Sequence, residues 1–203
     1  MKKHIFVLSV ILCLSMLVAF PVSVAATDVD VYVTPKGMVI DVSIETSGAI
    51  GALQGAISYD GDKIEYDAAA ADEGISAYNA VGNSFMNSNG ITRVALVGNP
   101  STGTADVWAN VTYSAEEDTP ALFTLNGFKA FGVSGAVADA EFTVVVLGDA
   151  NGDNLVNVKD YVKYKKILAN GDSYTVNAKN LDLDKSGAGN AYDMIVLRRN
   201  MDF

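Results

Sequence analysis

Apolar and polar residues alternate from Asp28 onward. Val29, Val31 and Val33 are interleaved with Asp30, Tyr32 and Thr34, and Ile40, Val42 and Ile44 with Val39, Asp41, Ser43 and Glu45. A period of two is the mark of a strand with one buried face. Further strand-like runs cover residues 52–59, 91–98, 104–113, 121–131 and 140–147. Turn-forming clusters separate them, among them Gly61-Asp62, Asn87-Ser88-Asn89-Gly90 and Asn99-Pro100-Ser101-Thr102-Gly103. Regularly spaced short strands of this kind predict a mainly β domain over residues 27–147, a β-sandwich or jelly roll. Residues 68–72 are a candidate for one short helix. After Gly148 the rhythm changes. Two acidic loops are each followed by about ten residues at helical spacing. Tyr161, Tyr164, Ile167 and Leu168 share one face of the first helix, and Met194, Val196, Leu197 and Met201 populate the second. Residues 148–203 therefore read as a small all-α domain. No Pro-, Ser- or Gly-rich linker precedes it, so the two domains are expected to be held close.

The first 26 residues have another pattern. Lys2, Lys3 and His4 precede an apolar run from Ile5 to Phe20, which Pro21 ends, and Val24-Ala25-Ala26 offers small residues for cleavage. This is the layout of a secretory signal peptide over residues 1–26. The alternative is a retained membrane anchor, against which the run falls short of the roughly 20 residues that span a bilayer. Leu12 before Cys13 argues against a lipoprotein signal. Cleavage would remove Cys13, the only cysteine. The expected product is secreted, extracellular, free of the membrane and without disulfides, so its stability must come from a core or from metal.

Charge sharpens the division. Residues 27–147 carry 16 Asp plus Glu against 4 Lys plus Arg, whereas residues 148–203 carry 8 of each. So acidic a first domain argues against nucleic acid as a partner. In the second segment the acids gather in loops and the bases in the helix-like stretches, which points to a metal site. The first loop runs from Asp149 to Asp160, with Asp149, Asn151, Asp153, Asn157 and Asp160 at positions 1, 3, 5, 9 and 12. Calcium takes 6–8 oxygens in a flexible cage, and an EF-hand-like loop of this spacing supplies them. Leu155 at position 7 would add its backbone carbonyl, Asn157 would act through water, and Asp160 would close the cage. Asn154 stands at the sharp turn where glycine is usual; it is one of the few other residues that tolerates a left-handed backbone. The second loop repeats the first 33 residues on. Asp182, Asp184, Ser186, Ala188, Asn190 and Asp193 occupy the ligand positions, and Gly187 restores the turn glycine. Asp and Asn also cluster in ordinary turns, but two copies in register, each leading into a helix, point to two Ca2+ ions. A unit of about 55 residues without disulfides usually needs a staple, and it should be largely unfolded without the ion.

These loops, with the basic pairs Lys165-Lys166 and Arg198-Arg199 at equal offsets after the last ligand, resemble type I dockerins of cellulosomes. The resemblance implies that Val158, Lys159, Lys165 and Lys166 in one copy, and Ala191, Tyr192, Arg198 and Arg199 in the other, contact a cohesin of another scaffoldin. The Ser-Thr pair of some dockerins is absent. The first domain is similar to cohesins: Val107-Trp108-Ala109-Asn110-Val111-Thr112-Tyr113 resembles a Val-Phe-Ala-x-Ile-x-Phe strand, and Ile57-Ser58-Tyr59-Asp60 a Phe-x-Tyr-Asp strand end. The Gly-rich approach to the Trp108 strand is shorter than usual. As a cohesin, this domain would receive a dockerin-bearing enzyme or module on one open sheet, where Gln54 and Ser58 point outward.

No catalytic constellation is legible. His4 is the only histidine, no glycine-rich phosphate loop follows a strand, and Glu116-Glu117-Asp118 before Pro120 reads as a solvated turn rather than a glycosidase pair. Trp108 alternates with Asp106, Asn110 and Thr112, which would allow partial exposure, but a single tryptophan is more often a packing residue at a sheet edge than a sugar-binding strip. The expected protein is a non-catalytic adaptor scaffoldin supporting plant polysaccharide degradation, with any contact to polysaccharide indirect. The alternative is a carbohydrate-binding β-sandwich carried by a dockerin, which requires several coplanar exposed aromatics on a sheet face.

Overall fold

The computed structural model describes residues 27–47, 50–67, 80–98, 106–132, 134–170 and 176–201. The expected signal segment, the candidate helix at 68–72 and the turn at 99–103 lie outside the described residues. Nine strands are described: β1 (Thr27–Lys36), β2 (Val39–Thr46), β3 (Ala52–Ser58), β4 (Ile64–Asp67), β5 (Ala80–Ser88), β6 (Ile91–Gly98), β7 (Asp106–Ala115), β8 (Thr124–Phe131) and β9 (Ala140–Val146). They form a five-stranded sheet in the order β4-β7-β2-β1-β9 and a four-stranded sheet in the order β5-β6-β3-β8. All pairings are antiparallel except β1 with β9, which is parallel from Thr27 opposite Ala140 to Val33 opposite Val146.

The alternation of the sequence produces this sandwich. Val29, Val31 and Val33 of β1 and Ile40, Val42 and Ile44 of β2 are all within 1% of full burial. They face Leu53 and Ile57 of β3 and Val94 and Leu96 of β6 in one core. Tyr113 of β7 lies deep between the sheets, and its hydroxyl donates to Thr92 Oγ1 of β6 at 3.1 Å. The β5–β6 hairpin turns at Asn89 and Gly90, whose φ values of 42° and 75° meet the left-handed requirement of a tight hairpin turn.

Trp108 is a packing residue, as expected, but it is fully buried and without the partial exposure that the alternation allowed. The register of β7 against β2 slips between Ile44 and Glu45, so that Ala109 pairs with Ile44 and Val107 with Glu45. Trp108 is the extra residue of this bulge, and a bulge turns two consecutive side chains to one face. Trp108 and Ala109 therefore both enter the core. By contrast, Glu116, Glu117 and Asp118 form an exposed turn, as expected.

Beyond β9 the chain forms helix α1 (Val158–Asn170), a single 3-10 turn (Ala178–Leu181) and helix α2 (Ala191–Asn200). Ala150, Tyr164, Ile167, Leu181 and Leu197 make a second, small core. Of the apolar face expected on α1, Tyr164 and Ile167 are buried and Tyr161 half-buried, while Leu168 stays 38% exposed. No described helix is long and apolar enough to cross a membrane.

The helical segment packs against the sandwich directly. Ala121 N of the sandwich donates to Asn154 O of the first loop at 2.7 Å, and Lys179 and Lys185 pair with Asp30 and Glu45 of the sandwich. Val156 packs against both cores. The close association expected from the missing linker is what the structure has.

Candidate metal centre and docking faces

The two acidic loops fold alike because their carboxylates bind their own backbones. In the first, Asp149 at position 1 accepts from Gly152 N (2.6 Å) and Asn154 N (2.9 Å). Asp160 at position 12 accepts from Ala150 N (3.0 Å), Asn151 N (3.2 Å) and Asn157 N (2.8 Å). In the second, Asp182 accepts from Ser186 N (2.9 Å) and Gly187 N (2.7 Å), and Asp193 from Asp184 N (3.0 Å) and Asn190 N (2.9 Å). The helices start the same way. Asn157 Oδ1 accepts from Lys159 N at 2.9 Å, and Asn190 Oδ1 from Tyr192 N at 2.8 Å. At α2, Asn190 and Asp193 form a reciprocal capping box, which satisfies amide groups a helix leaves free at its start.

These bonds aim the remaining carboxylate lone pairs inward. Asp149, Asp153 and Asp160 bring ligand oxygens within 4.8 Å of one another, and so do Asp182, Asp184 and Asp193. Asp160 and Asp193 are fully buried, and Asp149 nearly so. Burial pushes the Asp160 carboxyl above the usual carboxylate range, and Asp149 adds to this, while the backbone amides of Asn157, Asn151 and Ala150 work against it. Three carboxylates converging this closely repel one another unless a cation lies between them. Hard oxygen donors with one buried closing carboxylate fit calcium. Asn151 Oδ1 accepts from Asp153 N, and Asn157 and Asn190 spend their side-chain oxygens on the helix starts. Position 9 therefore suits contact through water. Ala188 O accepts from Asn190 Nδ2 at 3.1 Å. Leu155 N donates to Asp153 Oδ1 at 2.9 Å.

The expected left-handed turns are present at position 6, with φ 61° at Asn154 and 101° at Gly187. Position 4 is left-handed as well, with φ 84° at Gly152 and 57° at Lys185. That requirement was not read from the sequence, where Lys185 gives no sign of it. A second asymmetry is Gly189. A Cβ there would stand 2.7 Å from Leu181 O and 2.8 Å from the Tyr164 hydroxyl. That hydroxyl donates to Leu181 O at 2.7 Å and Asn190 O at 3.0 Å. Tyr164 of α1 thereby ties down the second loop.

All eight docking residues expected on the helices are exposed: Val158, Lys159, Lys165 and Lys166 on α1, and Ala191, Tyr192, Arg198 and Arg199 on α2. Sequence reasoning missed Val162 and Ile195, which are 46% and 52% exposed. Each lies two residues after its closing aspartate, so the 33-residue offset that revealed the ligands also relates them. Each helix thus presents an apolar residue beside a basic pair. On the four-stranded sheet, Gln54 is exposed and Ser58 half-exposed on the outward face, while Leu53 and Ile57 point in. Asn126 Nδ2 donates to Ser58 Oγ at 2.8 Å. Met86, Arg93, Ala95, Asn126 and Gly127 border a shallow groove along Gln54 and Ala56.

Residues 147–202 match the dockerin type I domain. The sandwich has weaker likenesses among solved structures. One is the sixth cohesin of Acetivibrio cellulolyticus scaffoldin B, in complex with a Cel5 dockerin mutant: 18% identity, TM-score 0.48, 60% of this chain and 98% of that one. A non-cellulosomal cohesin from the archaeon Archaeoglobus fulgidus gives 14% identity and TM-score 0.42 over 60% of this chain and 92% of that one. The seventh ScaB type I cohesin of Pseudobacteroides cellulosolvens gives 17% and 0.41, again over 60% and 92%. No curated protein matches the chain. Residues 147–202 are thus similar to dockerins, and they follow a two-sheet β-sandwich.

Proposed function

We propose that this chain is a non-catalytic cellulosome adaptor scaffoldin. In this reading, residues 1–26 are a secretion signal, 27–147 a cohesin-like domain and 148–203 a dockerin, and the mature protein works outside the cell. Two Ca2+ ions fold the dockerin: Asp149, Asn151, Asp153, Leu155, Asn157 and Asp160 serve one, and Asp182, Asp184, Ser186, Ala188, Asn190 and Asp193 the other. The observation that carries the reading is the duplicated loop–helix unit with both helix faces left open beside the sandwich. The dockerin would engage a cohesin of another scaffoldin through α1 or α2, and the outer face around Gln54 and Ser58 would receive a dockerin-bearing enzyme or module. The acidic sandwich and the basic pairs favour charge-steered association. Polysaccharide would be reached only through those partners.

The competing reading, a carbohydrate-binding module, requires an aromatic strip on a sheet. Among the described residues the large apolar side chains that stand exposed include one aromatic, Tyr192, and it belongs to α2. Immobilised full-length protein, incubated in calcium with culture supernatant of the source organism, should retain two groups of proteins. One group should be lost on replacing Lys165, Lys166, Arg198 and Arg199 with Glu, and the other on replacing Gln54 and Arg93 with Glu. Retention of the chain on cellulose or another glycan, with no protein captured by the sandwich face, would overturn the adaptor reading.

A further inference from the structure

The two repeats differ at position 4. Its left-handed backbone suits glycine, which bears no strain there, and the first loop has Gly152. The second has Lys185 at φ 57°. The loop imposes that conformation on whatever residue stands there, so a lysine in place of glycine carries strain that the surrounding structure must offset. Lys185 Nζ pairs with the carboxylate of Glu45 in β2. It also lies 4.1 Å from the ring centroid of Tyr32 in β1, within cation–π range. Both partners sit on the outer face of the five-stranded sheet. Glu45 had the alternation of an outward, solvated residue, yet its side chain is only 9% exposed, with Lys185 Nζ and the Ser43 hydroxyl both against its carboxylate.

A second lysine acts beside the first. Lys179 Nζ binds both oxygens of Asp30 in β1, at 2.8 and 2.7 Å, and Asp30 also accepts from the Tyr32 hydroxyl at 3.3 Å. The Lys179 carbonyl accepts from Asp182 N at 3.2 Å, where the second loop begins. Lys179 and Lys185 stand three residues before and three after Asp182. The equivalents around Asp149 are Val146 and Gly152, neither of them charged. The double anchor is therefore not a property of the repeat.

We propose that Lys179 and Lys185 form an interdomain latch that makes ion occupancy of the second loop and its packing on the sandwich one linked equilibrium. This rests on the calcium reading of the loops. Lys185 reaches Glu45 and Tyr32 only when the backbone around Asp182, Asp184 and Ser186 is wound as it is around an ion. Whatever favours that winding favours the latch, and by reciprocity the latch raises the loop's affinity for the ion. The latch also holds α1 and α2 at a set angle to the sandwich.

The test uses the full chain and two variants, Lys185→Gly in the loop and Glu45→Gln on the sandwich. Calcium titration calorimetry gives the affinity of each loop, and hydrogen exchange of the β1 and β2 amides is followed with calcium and with chelator. Both variants are expected to weaken one of the two calcium sites about five- to tenfold and leave the other unchanged. Both should also abolish the protection that calcium confers on β1 and β2. A purely local role for Lys185 gives the opposite result for Lys185→Gly, because glycine relieves the backbone and would hold or tighten the affinity. Unchanged affinities in Glu45→Gln, or calcium-dependent protection of the sandwich surviving both variants, would overturn the latch while leaving the calcium reading intact. Absence of calcium binding in the unaltered chain would overturn both.

Discussion

Gly148 meets two demands at once. Its φ of 96° is left-handed, and a Cβ there would stand 2.8 Å from Leu197 Cδ1 and 3.0 Å from Val156 Cγ1. Val156 packs against both cores and Leu197 is the fully buried apolar residue of α2, so neither can retreat without loosening the seam. Gly148→Ala is expected to destabilise the helical segment by about 2 kcal/mol, measured by urea denaturation in calcium with helical circular dichroism as the signal. In the sequence Gly148 looks like any turn glycine, because its constraint comes from residues 8 and 49 positions away. The two aspartate clusters were legible for the opposite reason: their convergence depends on local spacing, and spacing is visible. The full burial of Trp108 was not legible, because it depends on a bulge that β7 makes against β2.

An element is legible to the degree that its own periodicity exceeds its surroundings. β1 and β2 alternate for eight residues or more and stand out. β4 has four residues, and β5 carries Gly82, Asn83 and Ser84 in its middle, so neither announces itself. The helices are likewise weak alone. α2 has 10 residues, below the roughly 12–15 that hold a helix in water without help. Its help comes from Asp193, which closes the capping box and supplies a buried carboxylate to the second cluster. Asp193→Ala removes both at once. Calcium binding at the second loop should be lost, and helical ellipticity should fall even when the first loop is saturated. Asp193→Asn keeps one oxygen that can accept at the cap, and is expected to lose the calcium site while retaining more of the helix. Equal ellipticity in the two variants would show that the cap contributes nothing apart from the ion.

At the scale of the whole molecule, the two cores are unequal. Among the described residues the sandwich core has 21 buried members and the helical core five. Apolar burial grows with core size while chain entropy must be met by every residue, so only the larger core should persist without metal. Chelator added to the full chain is therefore expected to remove the helical signal and leave the β signal, and hydrogen exchange should place the loss within residues 148–201. Loss of both signals together would mean that the sandwich depends on the ion for its fold. The same inequality bears on assembly. If the sandwich face and the C-terminal helices matched each other, copies of the chain would join head to tail and form open-ended polymers. The groove along Gln54 and Ala56 carries Arg93 at its edge, and the dockerin helices carry Lys165, Lys166, Arg198 and Arg199. Like charges across a contact oppose it, so the chain is expected to stay monomeric in calcium as its concentration is raised, measured by gel filtration with light scattering. If Arg93 is what separates the two faces, Arg93→Glu should be the variant that begins to self-associate, and added salt should weaken that association.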